Sequence, residues 1–180
     1  MTLKVYRNYF EKLARQNIAL SHNPEQGKKS YMDILIDDVV NQVSYDLTGI
    51  CLFLEKPTIK PYDALSDNPR KIFNGGFLIM EPFKNSGDPD EKNLILERTE
   101  ELTEDIISKI KNDQKLANNN KFYEFPIKGF DLNTVYTESV GQIFNDWYGW
   151  RTSFSINQTY RNNLILDASK WRTDKPSKIL

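Results

Sequence analysis

The 180-residue chain has one cysteine, Cys51, and one histidine, His22. A single cysteine excludes an internal disulfide and a cysteine-based zinc cluster, so stability must come from packing. A single histidine removes Ser-His-Asp, Cys-His and multi-histidine metal arrangements together, because each needs imidazole as base or ligand. No window approaches 18 uninterrupted apolar residues, and Met1-Thr2-Leu3-Lys4-Val5 lacks the basic-then-apolar run of a signal peptide. The chain is therefore expected to stay in a cytoplasm-like compartment, with no membrane partner. There is also no excess of either charge: 24 Lys and Arg against 25 Asp and Glu leave a net charge of -1, too little to draw in nucleic acid.

What is present suits one folded domain. A 39% apolar and 12% aromatic composition can fill a core at this length, while 27% charged residues keep the surface wet. Leu3, Tyr6, Phe10, Leu13, Ala14 and Asn17-Ile18 recur at three- and four-residue steps, predicting an amphipathic helix over about 2–20, ended before Pro24. Tyr31 to Ile36 is a candidate short strand, and Asp37 can cap a short helix carrying Val39, Val40 and Val43. Gly49 to Leu54 reads as a first central strand and 56–71 as an exposed connection. Ile72 to Phe83 reads as a second strand, in which Gly75-Gly76 marks a bulge or a close backbone approach.

Asp88-Pro89 is a helix start. Leu94, Ile95, Leu102, Ile106, Ile107 and Ile110 form the apolar stripe of the helix that follows, which fades at Asn112-Asp113-Gln114. Three candidate strands come next, at 122–128, 130–140 and 147–158.

Signals for chemistry are weak. Cys51 sits in an apolar strand with no neighbouring cation, which reads as a buried, inert thiol. His22 reads as a surface residue at a helix end. Asp88, Asp90 and Glu91 lack the later glutamate and turn glycine of a calcium loop, and Gly75-Gly76 lacks the continuation of a phosphate cradle. Asp37-Asp38 and Glu100-Glu101 point to different sides of a helix, whereas acid and base partners must face one another. No catalytic residue, metal or cofactor is expected. Trp147, Tyr148, Trp150 and Trp171 concentrate the large aromatics late in the chain, where they serve a core or a subunit interface. With Arg151 they are the candidate interface residues.

The order of these elements, with Tyr148-Gly149-Trp150-Arg151-Thr152-Ser153-Phe154-Ser155-Ile156, Asp105-Ile106-Ile107-Ser108-Lys109-Ile110 and Gly129-Phe130-Asp131-Leu132-Asn133, resembles the tail-terminator and head-to-tail connector ring proteins of tailed bacteriophages over residues 3–157. The resemblance implies a single α+β domain, a mostly antiparallel sheet with an N-terminal helix and one long helix packed on it. It implies a non-enzymatic virion component assembled in the host cytoplasm, in which residues 1–157 form the ring. Portal, connector or tail proteins are the implied neighbours, and DNA passes through the lumen without specific binding. The implied ring places acidic residues of the long helix or its flanking loops along the lumen. Residues 158–180 depart from the shorter members and are expected to contact neighbouring subunits. The alternative is a small cytoplasmic adaptor or regulatory protein binding a single protein partner.

Overall fold

In the computed structural model, residues 1–34, 47, 49–62, 69–83, 89–119, 125, 127–143 and 146–159 are described. Helix α1 spans Leu3–Gln16 and buries Tyr6, Tyr9, Phe10, Leu13 and Ala14. Thr2 caps it, its hydroxyl oxygen accepting from the Val5 amide at 3.3 Å. The helix stops short of the predicted 20 because Asn17 turns extended. The Asn17 side chain then competes for backbone donors, its Oδ1 accepting from the Ala19 and Leu20 amides at 2.9 and 3.1 Å. A 3-10 turn, Pro24–Gln26, leads to strand β1, Tyr31–Ile34. The helix predicted after Asp37 lies outside the described residues.

Strands β2 (Cys51–Glu55), β3 (Thr58–Tyr62), β4 (Arg70–Pro82), β5 (Phe130–Ile143) and β6 (Trp147–Thr159) complete the sheet. Its order is β1-β2-β4-β6-β5, with β3 also paired to β4. Only the β1–β2 pair is parallel among the described ladders. Chain and topology make a single α+β domain with a six-stranded, mostly antiparallel sheet, one N-terminal helix and one long helix.

Three expectations need correction. The stretch 56–71 is not only a connection, because it contains β3; all five of its side chains are exposed, so no apolar pattern marks it. The β4–β6 ladder runs in unbroken register from Arg70↔Thr159 to Pro82↔Trp147, so Gly75-Gly76 is not a bulge; the other reading, a close backbone approach, holds at Gly76, where a Cβ would lie 2.9 Å from the Thr152 carbonyl oxygen. Of the strand predicted at 122–128, the described residues are Phe125, which is buried, and residues 127–128, which begin a turn; the others lie outside the described residues.

The long helix, α2, spans Pro89–Asn119; the predicted cap Asp88 lies outside the described residues. It runs through Asn112-Asp113-Gln114 because Asp113 is buried and held from two sides. Tyr9 Oη donates to one carboxylate oxygen at 3.0 Å and Lys109 Nζ to the other at 2.6 Å. The buried stripe of α2 includes Ile95, Thr99, Leu102, Thr103, Ile106 and Ile110, whereas Leu94 points to solvent. The two threonines fit inside because their hydroxyls donate to the carbonyls of Ile95 and Thr99, both at 2.7 Å.

Both helices cover the same sheet face. There Leu52, Leu54, Phe73, Phe77, Ile79, Phe154 and Ile156 pack with the buried faces of α1 and α2 in the main core. Phe10 is at its centre, 5.7 Å from the Phe77 ring and stacked on Phe154 at 5.8 Å. Cys51, Phe53, Leu78, Met80 and Trp147 form a second cluster with Ile34 and Leu47 on the opposite face.

Candidate functional site

The candidate interface residues Trp147, Tyr148, Trp150 and Arg151 all lie on β6, between β4 and β5, where the strand backbone is paired on both edges. Alternation sends their side chains to opposite faces. Trp147 is buried against Phe53, ring centroids 5.4 Å apart, in the second cluster. Tyr148 is buried, packs edge-on to Phe83 at 5.6 Å and carries Lys92 Nζ 4.8 Å above its ring. Trp150 is half-buried, and its indole N–H donates to the Leu96 carbonyl at 2.9 Å. Tyr148 and Trp150, with the Arg98–Glu81 ion pair at 3.1 Å, therefore fasten the first half of α2 to the sheet. These aromatics are engaged inside their own chain, and Trp171 lies outside the described residues.

Arg151 organises the sheet face opposite the helices. Its Nε and Nη2 donate to the two oxygens of Glu55 at 2.7 and 3.1 Å, and Nη1 reaches Glu138 at 3.2 Å. The Glu55 side chain is only 8% exposed, that of Arg151 33% and that of Glu138 42%. Its hydrogen bonds to Glu55 hold the guanidinium further above its already high ordinary value. Two carboxylates thus face one cation, which offsets one of the two negative charges and ties β2, β6 and β5 together.

Gly76 makes this possible. A Cβ there would lie 2.5 Å from Glu55 Oε2 and 2.9 Å from the Thr152 carbonyl oxygen. One residue earlier, on the opposite face, a Cβ on Gly75 would lie 2.6 Å from Tyr6 Oη. The glycine pair leaves room for one polar side chain on each side of the sheet. Tyr6 donates to the Gly76 carbonyl at 3.3 Å, and burial, then the nearby Glu55 charge, raises its hydroxyl far above the ordinary phenol value. It remains a neutral phenol at physiological pH.

His22 corrects its expectation, since it is buried rather than at the surface. Its Nδ1 accepts from the Ser30 amide at 3.1 Å, and burial lowers its pKa. Neutral imidazole here closes the loop ahead of β1. Cys51 is fully buried, as its setting predicts, and desolvation pushes its thiol up to about 12. That shift cuts the thiolate present at pH 8 by about a thousandfold relative to an ordinary cysteine. Native chain treated with a maleimide at pH 8 is expected to label at least about 100 times more slowly than denatured chain; equal rates would show the second cluster to be open. No group of three or more His, Cys, Asp or Glu suited to a metal occurs among the described residues.

A second surface lies on α2. Glu97, Glu100, Glu101, Glu104 and Asp105 are exposed, and none forms an ion pair with a described cation. At 100° per residue, Asp105 and Glu101 lie on the side nearer α1, while Glu100 and Glu104 lie further round the solvent face. Between the two helices is a cavity of about 520 Å³, lined by Leu13, Ile18 and Ile106 among others. No protein-family model matches the chain, and a search of curated proteins returns no match.

Proposed function

We propose that the chain is a non-enzymatic subunit of a ring in a tailed-bacteriophage particle, of the tail-terminator or head-to-tail connector kind, set around the path of the DNA. The observation that carries this reading is the arrangement of the elements. An N-terminal helix and one long helix lie together on one face of a mostly antiparallel sheet, as the resemblance over residues 3–157 implies.

The surface chemistry supports it. Glu97, Glu100 and Glu104 leave a row of unneutralised carboxylates on the solvent face of α2. Facing a lumen, such a row repels phosphate and lets DNA slide past without binding. A closed ring needs two different surfaces on each subunit, meeting head to tail.

The chain studied by light scattering and negative-stain microscopy, alone and with the proteins encoded by the neighbouring genes, is expected to give annular particles of one cyclic order. A chain that forms no ring in either setting, or a gene surrounded by a metabolic pathway, overturns the proposal.

A further inference from the structure

The loop after α1 holds Ile18 out in solvent, 91% exposed. It is not a frayed end. Asn17 Oδ1 accepts from the Ala19 and Leu20 amides, and the Ser21 hydroxyl donates to the Ile18 carbonyl, so the backbone that carries Ile18 is bonded on both sides. Ile18 forms the lip of the 520 Å³ groove between α1 and the middle of α2, whose apolar floor includes Leu13 and Ile106. An occupant of the groove would cover Ile18 and take its apolar surface out of water.

The free charge at the groove is negative. Asp105 lines it, and Glu101 lies one turn away on the same side of α2. Its cation, Lys109, is bound to Asp113 at 2.6 Å and leaves both carboxylates unneutralised. An occupant must therefore combine apolar anchors with positive charge.

One segment of this chain has that chemistry. Residues 170–180 carry Lys170, Arg172, Lys175 and Lys178 against Asp174 alone, together with Trp171, Ile179 and Leu180. We propose that this basic segment of one subunit docks in the α1–α2 groove of its neighbour, its apolar side chains against Ile18 and its cations toward Asp105 and Glu101. The inference rests on the ring reading and assigns one of the two unlike surfaces that a head-to-tail contact needs. Strand β6 ends at Thr159, beside Arg70 and near Met1 at the N-terminal end of α1, whereas the groove lies at the C-terminal end of that helix.

The test uses full-length chains carrying Ile18→Cys or Ile179→Cys, mixed and mildly oxidised, with Cys51 buried and out of competition. A disulfide-linked pair of chains is expected in the mixture, at least about tenfold above either variant alone. Adding Glu101→Lys and Asp105→Lys to the Ile18→Cys chain, both at exposed positions, is expected to lower the yield about tenfold, as is high salt. Absence of the linked pair, a link formed only within one chain carrying both cysteines, or a yield indifferent to charge reversal overturns the proposal. Rings without the link refute the docking alone; a charge-dependent link without rings supports the docking and refutes the ring.

Discussion

Arg151→Leu is expected to destabilise the chain by about 3 kcal/mol, among the largest effects of any single substitution on the sheet face opposite the helices. The reason is what it leaves behind. Glu55 ends a strand whose five residues are all buried, and its carboxylate lies between Gly76 and the guanidinium. Without Arg151 the charge has no partner to offset its desolvation. Because Arg151 is itself a third exposed, water partly replaces it, which places the loss at the lower end of the range for broken buried pairs. The double variant Arg151→Leu with Glu55→Leu removes both charges and is expected to recover most of the loss. Urea unfolding of the three chains checks this. A single-variant loss below about 1 kcal/mol, or no recovery in the double variant, shows that Glu55 is solvated.

Phe10→Ala is expected to cost about 3–5 kcal/mol. Phe10 is fully buried and touches the rings of Tyr6, Tyr9, Phe77 and Phe154, so truncation leaves a hole at the point where α1 meets β4 and β6. The surrounding strands are locked in ladders and cannot collapse into it. Val5→Ala, on the outer face of the same helix, is the control, with an expected change within about 0.5 kcal/mol. Comparable losses from the two substitutions would mean that α1 is held by helix propensity rather than by its buried face.

Much of the fold is legible in the sequence where a periodicity matches a buried face. Tyr6, Phe10, Leu13 and Ala14 mark α1, and Ile95, Leu102, Ile106 and Ile110 mark α2, because each helix buries one stripe against a sheet. β3 is illegible because its side chains are all exposed and its pairing is carried by the backbone. The end of α2 is hidden because Asp113 looks like a terminator and is instead a buried partner of Tyr9 and Lys109.

The interaction surfaces are less readable. Trp147, Tyr148, Trp150 and Arg151 stand out by residue type, yet their contacts lie within the chain. Glu55 could be found only through Gly76, the position left without a side chain opposite it. Ile18 looks like one more apolar residue of α1, and only the turn at Asn17 puts it outside.

The placement of β6 in the middle of the sheet governs how the chain is made. α1 is translated before every described strand, but its binding surface is shared between β4 and β6, and β6 is the last of the described strands to be translated. Until Ile156 has been synthesised, Tyr6 and Phe10 have only part of a sheet to cover. The apolar face of α1 thus stays exposed until β6 has been made, and the α1–β6 contacts close between distant parts of the chain. A nascent chain stalled before β6 is, on this topology, a substrate for chaperones rather than a smaller folded domain.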